Sequence, residues 1–192
     1  MKKIPTLFVR EFENHKVKRI TPEVTEGCEW VLRGEGIPTV KWDGSCCAII
    51  NDELYKRYDA KKGKKPPEGA IPCCDPDPIT GHHPHWLKCD ENNPADKWFF
   101  EAFNYTKKQR NLPDGTYEAI GVHFQGNPYG YDCDFLVCHG EDVITDLNDF
   151  SFETIKKYLE RRQIEGIVFW KDGEPKCKIK RTDFGFCWNK KK

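Results

Sequence analysis

Apolar residues along this chain fall mostly into short runs with period-two alternation, interrupted by two stretches of helical spacing. Leu7-Phe8-Val9 and Trp30-Val31-Leu32 read as short strands separated by a polar, proline-containing segment. Gly34 to Pro38 reads as a turn or loop, after which Lys41 stands at the head of a tight turn that leads into the apolar run Cys46 to Ile50. Asn51-Asp52 supplies a hairpin turn and Glu53 to Tyr58 the returning strand, with Tyr55 and Arg57 on one face. Thr116 to Ile120 and Phe135 to Cys138 are further strands; in the first, Glu118 faces away from Tyr117 and Ala119. Ile164 to Trp170, a Lys171-Asp172-Gly173 turn and Pro175 to Arg181 predict a final hairpin. Its second strand carries Lys178 and Lys180 on one face and Cys177 and Ile179 on the other.

Two helices punctuate these strands. Asn93 as cap and Pro94 in the first turn open one, whose Trp98, Phe99, Ala102 and Phe103 should pack on a sheet. Ser151 caps the other, with Phe152, Ile155, Tyr158 and Leu159 on its buried face. Residues 59–93 are rich in Pro, Gly, Cys and His and are expected to form a long loop or insertion. Strands interspersed irregularly with two helices give an α+β class with mainly antiparallel sheets, and 192 residues suit a single domain.

Composition narrows the partners. Formal net charge is zero, so basic character is local, at Lys61–Lys65 and from Lys176 onward, enough for a phosphate ligand. The sequence carries no recognisable signal peptide and no apolar run of membrane-spanning length, which predicts an intracellular protein away from membranes, a monomer with its ten cysteines reduced. Cys73, Cys74, His82, His83, His85 and Cys89 do not have the paired spacing of a zinc site, and a loop near a ligand is the preferred reading.

Taken singly, a Lys-x-Asp-Gly turn or a pair of strand lysines is unspecific; the ordered set is not. Lys41-Trp42-Asp43-Gly44, then Arg57, Glu118, Glu165-Gly166-Ile167-Val168 and Lys178-Ile179-Lys180 resembles the motifs of the covalent nucleotidyltransferase superfamily of polynucleotide ligases and capping enzymes. Gly81-His82-His83-Pro84-His85-Trp86, Gly126 to Gly130 and Lys178 to Gly185 are similar to a small group of ATP-dependent RNA ligases.

The resemblance implies an ATP-grasp-like adenylation domain of antiparallel sheets flanked by helices spanning residues 1–192, with no following OB domain. It implies ATP as AMP donor, Mg²⁺ or Mn²⁺ as metal, and RNA with 5′-phosphate and 3′-OH ends as the partner. Lys41 would be the nucleophile. Val40, Asp43, Gly44, Arg57, Glu118, Phe135, Glu165, Lys178 and Lys180 would surround the nucleotide, with Glu165 and Glu118 serving the metal directly or through water. The alternatives are a DNA ligase or GTP-using capping-type enzyme, and a non-catalytic RNA-end binder.

The chemistry itself demands such residues. A lysine amine has a reference pKa of about 10.4, so a nucleophilic lysine needs burial or neighbouring cations, which Lys178 and Lys180 can supply. Two assignments stay open: Phe124 competes with Phe135 for the adenine, and Arg33 with Arg57 for a phosphate. Cys46 occupies the position where ligases and capping enzymes often carry an arginine.

Overall fold

The computed structural model describes residues 3–14 and 16–188 and divides the chain into two compact units. In chain order the elements are β1 (Phe8–Glu13), β2 (Lys16–Val24), α1 (Glu29–Leu32), β3 (Ile37–Lys41), β4 (Ser45–Ile50), β5 (Glu53–Ala60), β6 (Ile71–Pro72) and β7 (His83–Lys88). They continue with α2 (Lys97–Gln109), β8 (Gly115–Ile120), β9 (Phe135–Cys138), α3 (Phe152–Arg161), β10 (Gly166–Lys171) and β11 (Glu174–Lys180). Short 3₁₀ turns precede α2 and follow β11. The class is α+β with antiparallel sheets, as the alternation predicts.

One unit joins Ile4–Asp43 to Gly140–Asn189 and is built on the antiparallel sheet β11-β10-β3, with β1 and β2 as a separate hairpin. Period two decides its layering. Val40, Ile167, Phe169, Cys177 and Ile179 turn to one face, where they pack with Leu7, Phe8, Val31 and the α3 residues Ile155 and Leu159. Lys41, Lys178 and Lys180 therefore turn to the other. Ser151 caps α3 as its sequence predicts, accepting the Thr154 amide.

The other unit, centred on Gly44–His139, carries the six-stranded order β6-β7-β5-β4-β8-β9. On one face Cys47, Ile49, Tyr117, Ala119 and Leu136 pack beneath α2, whose Ala102 is buried. The β4–β5 hairpin turns at Asn51 and Asp52, both with positive φ (52° and 63°), the geometry that matches strand twist. Ala48, Tyr55 and Trp86 occupy the opposite face together with Cys46.

Three local expectations are corrected. Trp30–Leu32 lies in a helical turn rather than a strand: Trp30 and Val31 are both buried, which adjacent strand residues on a one-sided sheet cannot be. The polar stretch after Val9 is a strand pair, zipped by cross-strand partners such as Glu11 and Arg19. Residues 59–93 are not wholly irregular, because β7 pairs with β5 along His83–Lys88 and buries His85 and Trp86. Pro84 takes part in the sheet through its carbonyl, which accepts the Cys73 amide.

Candidate active site

The register of the three-stranded sheet makes the site. Gly166 lies opposite both Lys41 on β3 and Lys180 on β11, so Glu165, the residue before it, meets a lysine on each side. Lys41 Nζ donates to Glu165 Oε2 at 2.5 Å, and Lys180 Nζ donates to Oε1. Gly166 is required by the closeness of the strands: a Cβ there would stand 2.1 Å from the Ile179 carbonyl oxygen. Two residues back along β11, Lys178 shares the lysine face.

Charge in this cluster is unbalanced. Burial alone would raise the Glu165 carboxyl, but Lys41 and Lys180 hold it below its ordinary value, so it is ionised. Burial, then the charges of Lys41, Lys180 and Arg10, lower the Lys178 ammonium to about 8 against the opposing pull of Glu165. Arg10 is brought in by the N-terminal segment, which pairs along β11: the Leu7 amide donates to the Lys178 carbonyl and the Lys178 amide to that of Pro5. The Arg10 guanidinium bonds Asp183, whose second oxygen accepts the Lys180 amide at 2.8 Å. Four cations thus face two carboxylates. A groove of about 710 Å³ opens over Arg10, Lys18, Arg19, Lys156, Lys178 and Lys180, a lining suited to an oligoanion.

The turn after Lys41 is anchored in the same unit. The Val40 amide donates to the Asp142 carbonyl, the Trp42 indole to the Asp142 carboxylate at 2.7 Å, and the Trp188 indole to Asp43 at 2.8 Å.

Gly44, Arg57, Glu118 and Phe135 belong to the six-stranded unit. Glu118 is fixed at both oxygens, by the Gly44 amide at 3.1 Å and by His139 Nε2 at 2.9 Å. A Cβ on Gly44 would stand 2.1 Å from the Ala119 carbonyl oxygen, so only glycine lets the chain enter β4 here. Arg57 donates to Asp59 at 2.9 Å from the sheet face that also holds Cys46. Phe135 is half-buried against Tyr131, whereas Phe124 is buried in the core under α2 and its ring is spent on packing.

Compared with characterised proteins, the chain matches no family model. It is similar to proteins named RNA ligase 1. That of Pongo abelii is 25% identical over an alignment covering 79% of this chain and 68% of the relative. Those of Rattus norvegicus and Mus musculus are each 27% identical with the same coverage. No helix among the described residues is long and apolar enough to cross a membrane.

The structure thus gathers four of the sequence-derived residues, Lys41, Glu165, Lys178 and Lys180, within one unit, and holds Glu118 against Gly44 in the other. Sequence reasoning missed Arg10, which sits in a stretch without any motif. It also gave Asp183 no role, although Asp183 follows closely on the Lys178-Ile179-Lys180 triplet, and it passed over His139, visible only as a polar residue closing β9. The Cys/His positions between 73 and 89 do not form a metal-sized cluster; among the described residues, such a cluster is made by Cys46, Glu118 and His139.

Proposed function

We propose that the protein is an ATP-dependent RNA ligase working through a lysyl-AMP intermediate, with both units belonging to one nucleotidyltransferase domain. The observation that carries this reading is the row Lys41–Gly166–Lys180 around an ionised Glu165, with Lys178 adding a further positive charge on the same face. The similarity to proteins named RNA ligase 1 supports RNA as the substrate.

Lys41 Nζ, as the free amine, attacks the α-phosphorus of ATP. A P–N bond forms, the bond to the β-phosphate oxygen breaks, pyrophosphate leaves and the amine proton passes to solvent. A 5′-phosphate oxygen of RNA then attacks the same phosphorus and releases Lys41. Finally a 3′-OH attacks the RNA 5′-phosphate and AMP departs. Lys178 and Lys180 stabilise the phosphate oxygens as charge builds on them.

Glu165 is the buried, ionised carboxylate on this face, the hard oxygen donor a divalent cation would take, and its two oxygens serve two ammonium groups. Mg²⁺ or Mn²⁺ held there, directly or through water, would supply charge neutralisation to the phosphates. Glu118 is assigned the nucleoside sugar or metal-bound water, Arg57 a phosphate or ribose, Phe135 the adenine face, and the backbone around Val40, Asp43 and Gly44 the nucleotide.

The test is covalent labelling. Protein incubated with Mg²⁺ and α-phosphate-labelled ATP should carry label through denaturing electrophoresis, and Lys41→Ala should carry none. Label retained in that variant overturns the assignment of the nucleophile. Labelling from GTP in preference to ATP would indicate a capping-type enzyme instead.

A further inference from the structure

We propose that Cys46, Glu118 and His139 form a binding site for one transition-metal dication, Zn²⁺ by its donor set. The sheet register builds it. Cys46 and Glu118 are direct cross-strand partners on β4 and β8, and the His139 amide donates to the Thr116 carbonyl one step past the end of β9. Pairing of Tyr117 with Cys138 puts His139 on the Glu118 face, away from α2. One donor atom from each of the three residues lies within 4.8 Å of the other two.

The supports that a metal site needs are also present. His139 Nδ1 lies 3.1 Å from the Thr116 hydroxyl, which can accept its proton and leave Nε2 as the ligand. Glu118 keeps Oε1 on the Gly44 amide, which leaves Oε2 to turn from His139 to a metal. Cys46 is a free, half-buried thiol directly across from Glu118. Binding balances as thiol plus dication giving metal thiolate plus one released proton. Thiolate, carboxylate and dication then sum to zero charge, which suits a half-buried position. A thiolate beside an imidazole selects Zn²⁺ over Mg²⁺ or Ca²⁺, and three protein ligands leave a fourth position open.

The site can be read without ATP or RNA. The 192-residue protein stripped with chelator and titrated with Co²⁺ should develop a thiolate-to-cobalt charge-transfer band saturating at one equivalent, and Zn²⁺ should bleach it. Cys46→Ser should abolish the band, and His139→Ala should weaken binding at least ~10-fold. No band in the parent protein, a band that survives Cys46→Ser, or one lost instead in Cys73→Ser or Cys89→Ser would overturn the proposal. X-ray absorption at the zinc edge of the parent protein guards against misfolded variants: one sulfur among nitrogen and oxygen neighbours supports the site, and two or more sulfurs refute it.

Discussion

Arg10 and Asp183 stand 173 residues apart in the chain, yet the Arg10 Nη2 donates to Asp183 Oδ1 at 2.6 Å. Asp183 is nearly buried and its other oxygen holds the Lys180 amide, so the N-terminal hairpin is tied to the end of the strand that carries Lys178 and Lys180. Removing Arg10 would leave Asp183 Oδ1 without the guanidinium that bonds it. Arg10→Ala is expected to cost about 1–3 kcal/mol in urea unfolding and to slow formation of the proposed lysyl-AMP adduct. Lysine at this position should restore only part, since it lacks the second donor that Arg10 Nε supplies at 3.0 Å. An Arg10→Ala protein as stable and as readily labelled as the parent would show the tie to be idle.

Glu165 holds two lysines at once, and its charge rather than its shape does so. Glu165→Gln keeps the volume but leaves Lys41, Lys178 and Lys180 mutually repelling. Labelling by ATP should fall by about 10²-fold or more, a size seen when one preorganised electrostatic contact is lost. Because the Lys41 and Lys180 side chains are 21% and 31% exposed, the stability loss at neutral pH should be modest, about 1–3 kcal/mol. The native carboxyl sits below its ordinary value of 4.5, so its contribution is present above that pH and fades as pH falls through the lower native value. Acid titration of unfolding should lose that component in the variant; equal acid sensitivity of the two proteins would contradict the pairing.

Lys178 gives a pH signature of the same sign in the alkaline range. Its ammonium is lowered from 10.5 to about 8 in the native protein. Below about 8 both folded and unfolded chains are protonated, and the folded state bears the cost of the buried charge. Between about 8 and 10.5 the native chain has shed the proton while the unfolded chain keeps it, so stability from this residue rises with pH across that window. Urea titrations at steps through the window should show that rise, and Lys178→Met should flatten it. Identical slopes in both proteins would rule Lys178 out as its source.

Much of this was written in the sequence where local pattern and tertiary demand agree. Alternation put Lys178 and Lys180 on one face because Cys177 and Ile179 had to be buried, and both are. Ser151 announced its helix because capping is a local contact, whereas Asn93 caps the 3₁₀ turn that leads into α2, whose own N-cap is Asp96. Trp30 was misread because a run of three apolar residues fits a strand as well as a helical turn, and only burial of both Trp30 and Val31 separates them. Arg10 was illegible for a different reason. Its partner Asp183 and the lysine it repels, Lys178, are remote in sequence, and nothing near residue 10 records that the preceding segment pairs with β11. The Cys46 position, where an arginine was expected, becomes informative only once the register sets Glu118 directly across from it.

Gly166 tests whether strand spacing, rather than the lysines alone, makes the site. An added methyl would stand 2.1 Å from the Ile179 carbonyl oxygen and 2.9 Å from the Lys180 Cα, both backbone atoms that no rotamer change can move. β11 must therefore retreat from β10 at the row that aligns Lys41, Gly166 and Lys180. Overpacking of this kind costs about 1–3 kcal/mol, so the Gly166→Ala protein should melt lower but remain folded at room temperature. Displacing Lys180 and Lys178 by even an ångström would weaken the hold on phosphate proposed for them, and the rate of adduct formation should fall about 10²-fold while Lys41 stays chemically intact. The check pairs thermal unfolding with single-turnover labelling on the same preparation. Loss of labelling without loss of stability, or the reverse, would mean that the close approach of β10 and β11 serves only one of the two ends argued for it.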